Sequence, residues 1–112
     1  INLIKIKHNI SQAYHQFAII LKDKYLANRL INFLQKNKIT ATFHYVPLHS
    51  SPFIKKNFKS KIVLKKTEEI YSKLVRLPLH PNLKEKEVNF VIKKIKSFII
   101  SQNINKKKLN LS

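Results

Sequence analysis

The sequence predicts a small α+β domain, a sheet of roughly three strands with helices packed on one face. Two observations predict it. Apolar runs of strand length alternate with segments whose apolar residues recur at helical spacing, and the 112 residues, 44% of them hydrophobic, leave room for one modest core. The strands and helices interleave, which gives two layers around that core.

Residues 1–14 read as a lead-in segment, mixed in character, with at most a short strand. Residues 15–22 (HQFAIILK) form an apolar run, β-branched in its middle and closed by Asp23. Its near-continuous apolarity predicts a strand covered on both faces, or one that has lost a neighbour. Asp23 can cap the next segment. From residue 24 to 36, Leu26, Leu30, Phe33 and Leu34 recur at i, i+4, i+7 and i+8, the stripe of an amphipathic helix. Asn37 is placed to end it in the left-handed conformation more often given to Gly.

Residues 39–46 (ITATFHYV) predict a second strand, stopping before Pro47. Residues 48–66, with Ser50-Ser51-Pro52 and many Lys, predict a loop holding at most a short helix near Lys55. Thr67 can cap a short helix through Lys73, with Glu68 and Glu69 favourably set against its dipole. Residues 74–79 (LVRLPL) predict a third strand, short or at an edge because of Pro78. Val88, Val91, Ile92, Ile95 and Ile99 then mark the stripe of a last helix. The working domain is residues 15–101, followed by a basic, disordered tail at 102–112.

The composition excludes several chemistries. There is no Cys, hence no disulfide framework and no thiolate metal site or nucleophile. There is no Gly either, which removes every phosphate-cradling loop that needs a residue at positive φ. With no Met, and Ile1 as first residue, the chain reads as part of something larger. No apolar run has the 18–20 or so residues of a membrane span, and no signal peptide is evident, so a cytoplasmic location is expected.

The net charge of +18 raises the question of nucleic acid. All but Arg29 and Arg76 of the 23 basic residues are Lys, scattered in pairs such as Lys55-Lys56, Lys65-Lys66 and Lys93-Lys94. Together with abundant Ile and Asn, this is what drift toward AT-rich codons produces. Nucleic acid is therefore not the expected partner, and a basic binding module stands as the alternative.

Candidate site residues cluster at residues 43–51 (FHYVPLHSS). On a regular strand His44 and Tyr45 point to opposite faces and cannot share a pocket unless the strand breaks. Local hydrogen bonding or solvation of these groups is the plainer reading of spacing alone. A metal site lacks a third ligand at a suggestive spacing.

The segment FHYVPLHSSP, followed by TEEIYSKLVRLPLHPNL and an amphipathic helix, resembles the C-terminal part of the DegT/StrS sugar aminotransferases. Within that family it looks most like enzymes that aminate dTDP-4-dehydro-6-deoxyglucose for enterobacterial common antigen and other surface polysaccharides, including lipopolysaccharide. The similarity runs from about Tyr14 to about Phe98. It implies the small C-terminal domain of a fold-type-I pyridoxal-phosphate transferase, whose reaction moves an amino group from glutamate to a dTDP-4-keto-6-deoxy sugar. It also implies a partner: the N-terminal cofactor domain that carries the Schiff-base Lys, the ring-binding residues and the Gly-rich segments, or a separate chain supplying it. No Lys here sits in the family's Gly-flanked catalytic context, so no catalytic residue is assigned. Pyridoxal phosphate belongs to the parent family and is not expected to bind this fragment alone, which is expected to be inactive by itself. In a completed enzyme His44, Tyr45 and His49 would lie near the sugar nucleotide or cofactor edge. Arg76 would hold a carboxylate through its two-point fork, its competing role being an ion pair with a helix Glu. His8, His15 and His80 are read as structural or solvated.

Overall fold

The computed structural model describes residues 1–11, 13–58 and 62–109, with the backbone alone given for 104–109. The class is the expected α+β. The elements run β1 (Asn2–Leu3), β2 (Phe17–Ile20), α1 (Lys24–Lys36), β3 (Thr42–Phe43), α2 (Pro52–Asn57), α3 (Lys65–Lys73), β4 (Leu74–Leu77) and α4 (Glu85–Leu109). The strands form one antiparallel sheet in the order β1-β2-β4-β3, four strands where the sequence predicts roughly three. The addition is β1, whose two residues pair Asn2 with Ile20 and Leu3 with Ile19. The sequence allows the lead-in segment at most a short strand, and two residues are too few to carry a period that would place it.

Helix α1 has the bounds its spacing predicts. Asp23 Oδ1 accepts from Leu26 N at 2.7 Å, closing one orphan donor of the first turn. Ala27, Leu30, Ile31 and Leu34 are buried, at i, i+3, i+4 and i+7. They meet Ile19 of β2 and Val75 of β4, which are paired in register and therefore share a face of the sheet. Ile39 and Ala41 complete this layer, and Phe98 of α4 closes it from the side, its ring 5.4 Å from that of Phe33.

The helix ends differently from expectation. Asn37 keeps φ −92°, and Lys38 takes the left-handed conformation at φ 60°. Lys38 N donates to Gln35 O at 2.9 Å and Ile39 N to Leu34 O at 3.0 Å, the paired bonds of a Schellman motif. The buried Ile39 and Leu34 belong to the same core cluster, the apolar contact that accompanies such an ending.

Strand β3 is cut to two residues from the eight expected. Gln35 Nε2 of α1 takes the Ala41 carbonyl at 3.0 Å, and Ile39 and Ala41 are committed to the core. From His44 the chain already turns toward Pro47. Helix α3 begins at Lys65, with Leu64 as its cap residue and no side-chain cap, so Thr67 lies inside the helix. Helix α4 continues to Leu109 through positions 102–109, expected as disordered tail; residues 110–112 of that tail lie outside the described residues. Neither Gly nor Pro interrupts that stretch, and Lys is a good helix former. At the other end Glu87 Oε2 accepts from Lys84 N at 2.8 Å, half of a capping box. Among the described residues no helix is long and apolar enough to cross a membrane.

Candidate functional site

The segment after β3 is built as a chain of local stops. Ser50 N and Ser50 Oγ donate to Pro47 O, at 3.0 and 3.1 Å, closing a 3-10 turn over Leu48–Ser50. Ser51 Oγ then accepts from Ile54 N at 3.3 Å, and Pro52 occupies the first position of α2, where a missing N–H costs nothing. A proline, a 3-10 turn and a capped helix start hold residues 47–52 in one conformation.

Because β3 ends at Phe43, His44 and Tyr45 do not alternate across a sheet. Their rings stand side by side, centroids 5.5 Å apart at 60°. Arg76, central in β4, pairs with Ala18 on one side and Thr42 on the other, so its side chain leaves the face opposite the core. Its guanidinium carbon lies 5.5 Å from the centre of the Tyr45 ring, within cation–π range. Among the described residues no carboxylate forms an ion pair with Arg76. The helix-Glu partner is therefore not observed, and the charge is held by an aromatic face that leaves its donors open.

His49 is placed apart from this group. Its side chain is 9% exposed, and Nε2 lies 2.9 Å from Glu68 Oε1 of α3. The approach is off the line a hydrogen bond needs, so the nitrogen is close to the carboxylate yet unsatisfied. His44 Nδ1 is likewise buried without a hydrogen-bond partner among the described residues. The structure thus gathers His44, Tyr45 and Arg76 and directs His49 toward α3.

Beside Arg76 opens a polar cleft of about 390 Å³, to which Thr40, Thr42, Gln16, His15 and His80 contribute. Sequence reasoning passed over these residues and left both imidazoles as structural or solvated. The signal was available for the threonines, since Thr40 and Thr42 share a parity in a strand-like run. For His15 and His80 no local pattern points to the cleft; antiparallel pairing of β2 with β4 brings them together, Phe17 facing Leu77. A cleft of this kind, with a fork of N–H donors, hydroxyls and imidazoles, is suited to an anionic or polyhydroxylated ligand.

These residues do not by themselves fit pyridoxal phosphate. Among the described residues no Lys, Arg, Asp or Glu is buried, so no desolvated amine and no enclosed carboxylate is on offer. No three His, Asp or Glu among them are gathered to hold a metal ion.

Comparison with known proteins gives a consistent result. The model of the DegT/DnrJ/EryC1/StrS aminotransferase family matches residues 2–96. Over 102 residues the chain is 30% identical to an uncharacterized protein of Methanocaldococcus jannaschii, MJ1066, covering 88% of this chain and 26% of that one. Among solved structures it is similar to the aminotransferase TlmJ of Streptoalloteichus hindustanus, with TM-score 0.78 and 19% identity, over 89% of this chain and 26% of that. Helicobacter pylori PseC, an aminotransferase involved in the biosynthesis of pseudoaminic acid, matches with TM-score 0.68 and 25% identity, over 78% of this chain and 24% of that. The chain therefore spans about a quarter of the length of each of these relatives.

Proposed function

The chain belongs to the DegT/DnrJ/EryC1/StrS aminotransferase family, and on that premise we propose that it is the C-terminal small-domain portion of a sugar-nucleotide aminotransferase. The family is pyridoxal-phosphate-dependent in general. In a completed enzyme an amino group would pass from glutamate to a dTDP-4-keto-6-deoxy sugar for surface-polysaccharide synthesis in the cytoplasm, the cofactor and its chemistry being supplied by the cofactor-bearing portion. This chain supplies recognition and not the reacting amine. Alone it is inactive; the cofactor-bearing portion completes it, either as a preceding N-terminal domain or as a separate polypeptide.

The observation that carries this reading is Arg76, held over Tyr45 beside a polar cleft and, among the described residues, in no ion pair with a carboxylate. A guanidinium in that state fits a substrate carboxylate, such as that of glutamate, with two parallel hydrogen bonds. Tyr45 and His44 offer a phenol and an imidazole at the same place, suited to sugar hydroxyls or phosphate. His49, nearly buried, lies against Glu68 of α3 and apart from them.

The test is completion in trans. The full chain is mixed with the cofactor-loaded larger portion of a family enzyme, and glutamate-dependent amination of dTDP-4-keto-6-deoxyglucose is followed by mass spectrometry. Turnover that requires both pieces and falls at least about tenfold with Arg76→Ala, chiefly through KM for glutamate, is the expected result. Turnover by the chain alone, or retention of the full rate after Arg76→Ala, would overturn it.

A further inference from the structure

A cleft of about 380 Å³ lies between α1 and α4. It belongs to the helical layer, and the sheet separates it from the face that carries Arg76. Arg29, Asn32 and Lys36 of α1 form one wall; at i, i+3 and i+7 they make one stripe of the helix, about 10 Å long. Ser101 and Gln102 of α4 form the other wall, and Phe33 and Phe98 give the cleft an apolar floor. Of the chain's five acidic residues, Asp23, Glu68, Glu69, Glu85 and Glu87, none lines it. Among the described residues neither Arg29 nor Lys36 forms an ion pair.

The structure assigns this cleft as a binding site for the phosphoryl group of a small organic phosphate, separate from the sugar site and independent of it. Arg29 supplies a fork of donors. Its guanidinium carbon lies 5.4 Å from the centre of the Tyr25 ring one turn earlier, which holds the side chain and leaves its N–H groups open. Lys36 adds a point charge from the other end of the stripe. A basic residue in the last turn of a helix ordinarily serves that helix's own carbonyls, but here they are taken. Phe33 O accepts from Asn37 Nδ2 at 2.8 Å, Leu34 O from Ile39 N at 3.0 Å and Gln35 O from Lys38 N at 2.9 Å. The Lys36 ammonium is left for another anion. On the far wall Ser101 Oγ accepts from Gln102 Nε2 at 3.3 Å while donating to Phe98 O at 2.7 Å, which steadies the Gln102 amide. Its second N–H and the Asn32 amide remain to meet outer oxygens. Cations at both ends of a stripe suit a tetrahedral group with oxygens on several sides better than a planar carboxylate. A nucleic-acid strand needs exposed rings along a basic groove, and Tyr25, the one exposed ring of α1, is already occupied by Arg29.

The test titrates the full, isotope-labelled chain with inorganic pyrophosphate and follows its amide resonances by NMR. Saturable shifts at the Asn32 and Gln102 side-chain amides are the expected result. Arg29→Gln should weaken binding at least about tenfold and Lys36→Gln at least about threefold. Lys24→Gln removes one charge from the exposed start of the same helix and should leave the affinity within about twofold. Arg29→Lys keeps the charge and loses the fork, so it should fall between the parent and Arg29→Gln. Equal weakening by all three Gln variants would overturn the assignment in favour of diffuse attraction to a chain of net charge +18. Absence of saturable shifts at the two amides would also overturn it. Shifts confined to Thr42, Arg76 and His80 would send the phosphate to the other cleft, sinking this site and leaving the sugar-site reading in place. A single-stranded RNA of about 12 nucleotides is run in parallel. If it binds more tightly than pyrophosphate and loses affinity by the same factor with Arg29→Gln, the surface belongs to a strand and the assignment fails; RNA affinity unmoved by Arg29→Gln supports it.

Discussion

The Arg76 guanidinium carbon stands 5.5 Å from the centre of the Tyr45 ring, joining the middle of β4 to the turn that follows β3. Tyr45 is 71% exposed, so the pair sits at the low end of cation–π strength. A double-mutant cycle with Arg76→Leu and Tyr45→Leu, read by urea unfolding, is expected to give a coupling of about 0.5–1 kcal/mol. A coupling indistinguishable from zero would mean that Arg76 is not positioned by the ring.

The core of this domain is narrow, which makes its central leucines costly to truncate. Leu30 and Leu34 are both fully buried between the sheet and α4. Leu34→Ala is expected to lose about 2–5 kcal/mol, a large share of the roughly 5–15 kcal/mol typical of a whole domain. Ile100→Ala, at a residue 59% exposed, should stay within about 0.5 kcal/mol of the parent. Urea midpoints followed by circular dichroism separate the two, and similar shifts for both would contradict the placement of the core.

A weaker interaction gives a pH signature. Lys73 Nζ donates to Glu69 Oε1 at 2.6 Å, one helical turn on, in the favourable Glu-before-Lys order. That hydrogen bond, and then the Lys73 charge, holds the Glu69 carboxyl below its ordinary value of 4.5. A depressed folded-state value stabilises the fold above the unfolded value and loses that effect as pH falls through the lowered one. Glu69→Gln should therefore be slightly less stable than the parent at neutral pH and equal to it in more acidic solution. Because the pair is exposed, the difference is small and shrinks with added salt. A difference that grew toward low pH would have the wrong sign.

What the sequence disclosed and what it withheld divide along the range of the interactions. The bounds of helix α1 were legible to the residue, because Asp23 and the spacing of Leu26, Leu30 and Leu34 are local facts. The truncation of β3 was not, because the strand is flanked by the Gln35 bond to the Ala41 carbonyl on one side and by the turn closed on Pro47 on the other, and the first of these reaches in from α1. The same event decides the site: with β3 ending at Phe43, His44 and Tyr45 become neighbours instead of lying on opposite faces. Arg76 could be singled out from its chemistry, but its companions His15 and His80 depend on β2–β4 pairing. Strand β1 exists only through its bond to β2.

The end of α1 offers the most local test. Sequence reasoning assigned the left-handed residue to Asn37, yet the two bonds of the Schellman motif put it one residue later, at Lys38 with φ 60°. For a residue with a β-carbon that conformation costs roughly 1–2 kcal/mol, because Cβ crowds the following carbonyl oxygen. The cost is borne because the motif satisfies the Leu34 and Gln35 carbonyls and seats Ile39 in the core. Lys38→Gly removes the crowding while keeping both bonds, so it should stabilise the domain by about 0.5–1 kcal/mol, the gain being reduced by the extra freedom of Gly in the unfolded chain. Asn37→Gly acts at φ −92°, where Gly has no steric advantage, and also loses the Asn37 Nδ2 donation to Phe33 O at 2.8 Å. It should therefore destabilise. Thermal unfolding of the two variants side by side checks this: opposite shifts place the left-handed residue at Lys38, and the reverse order would return it to Asn37.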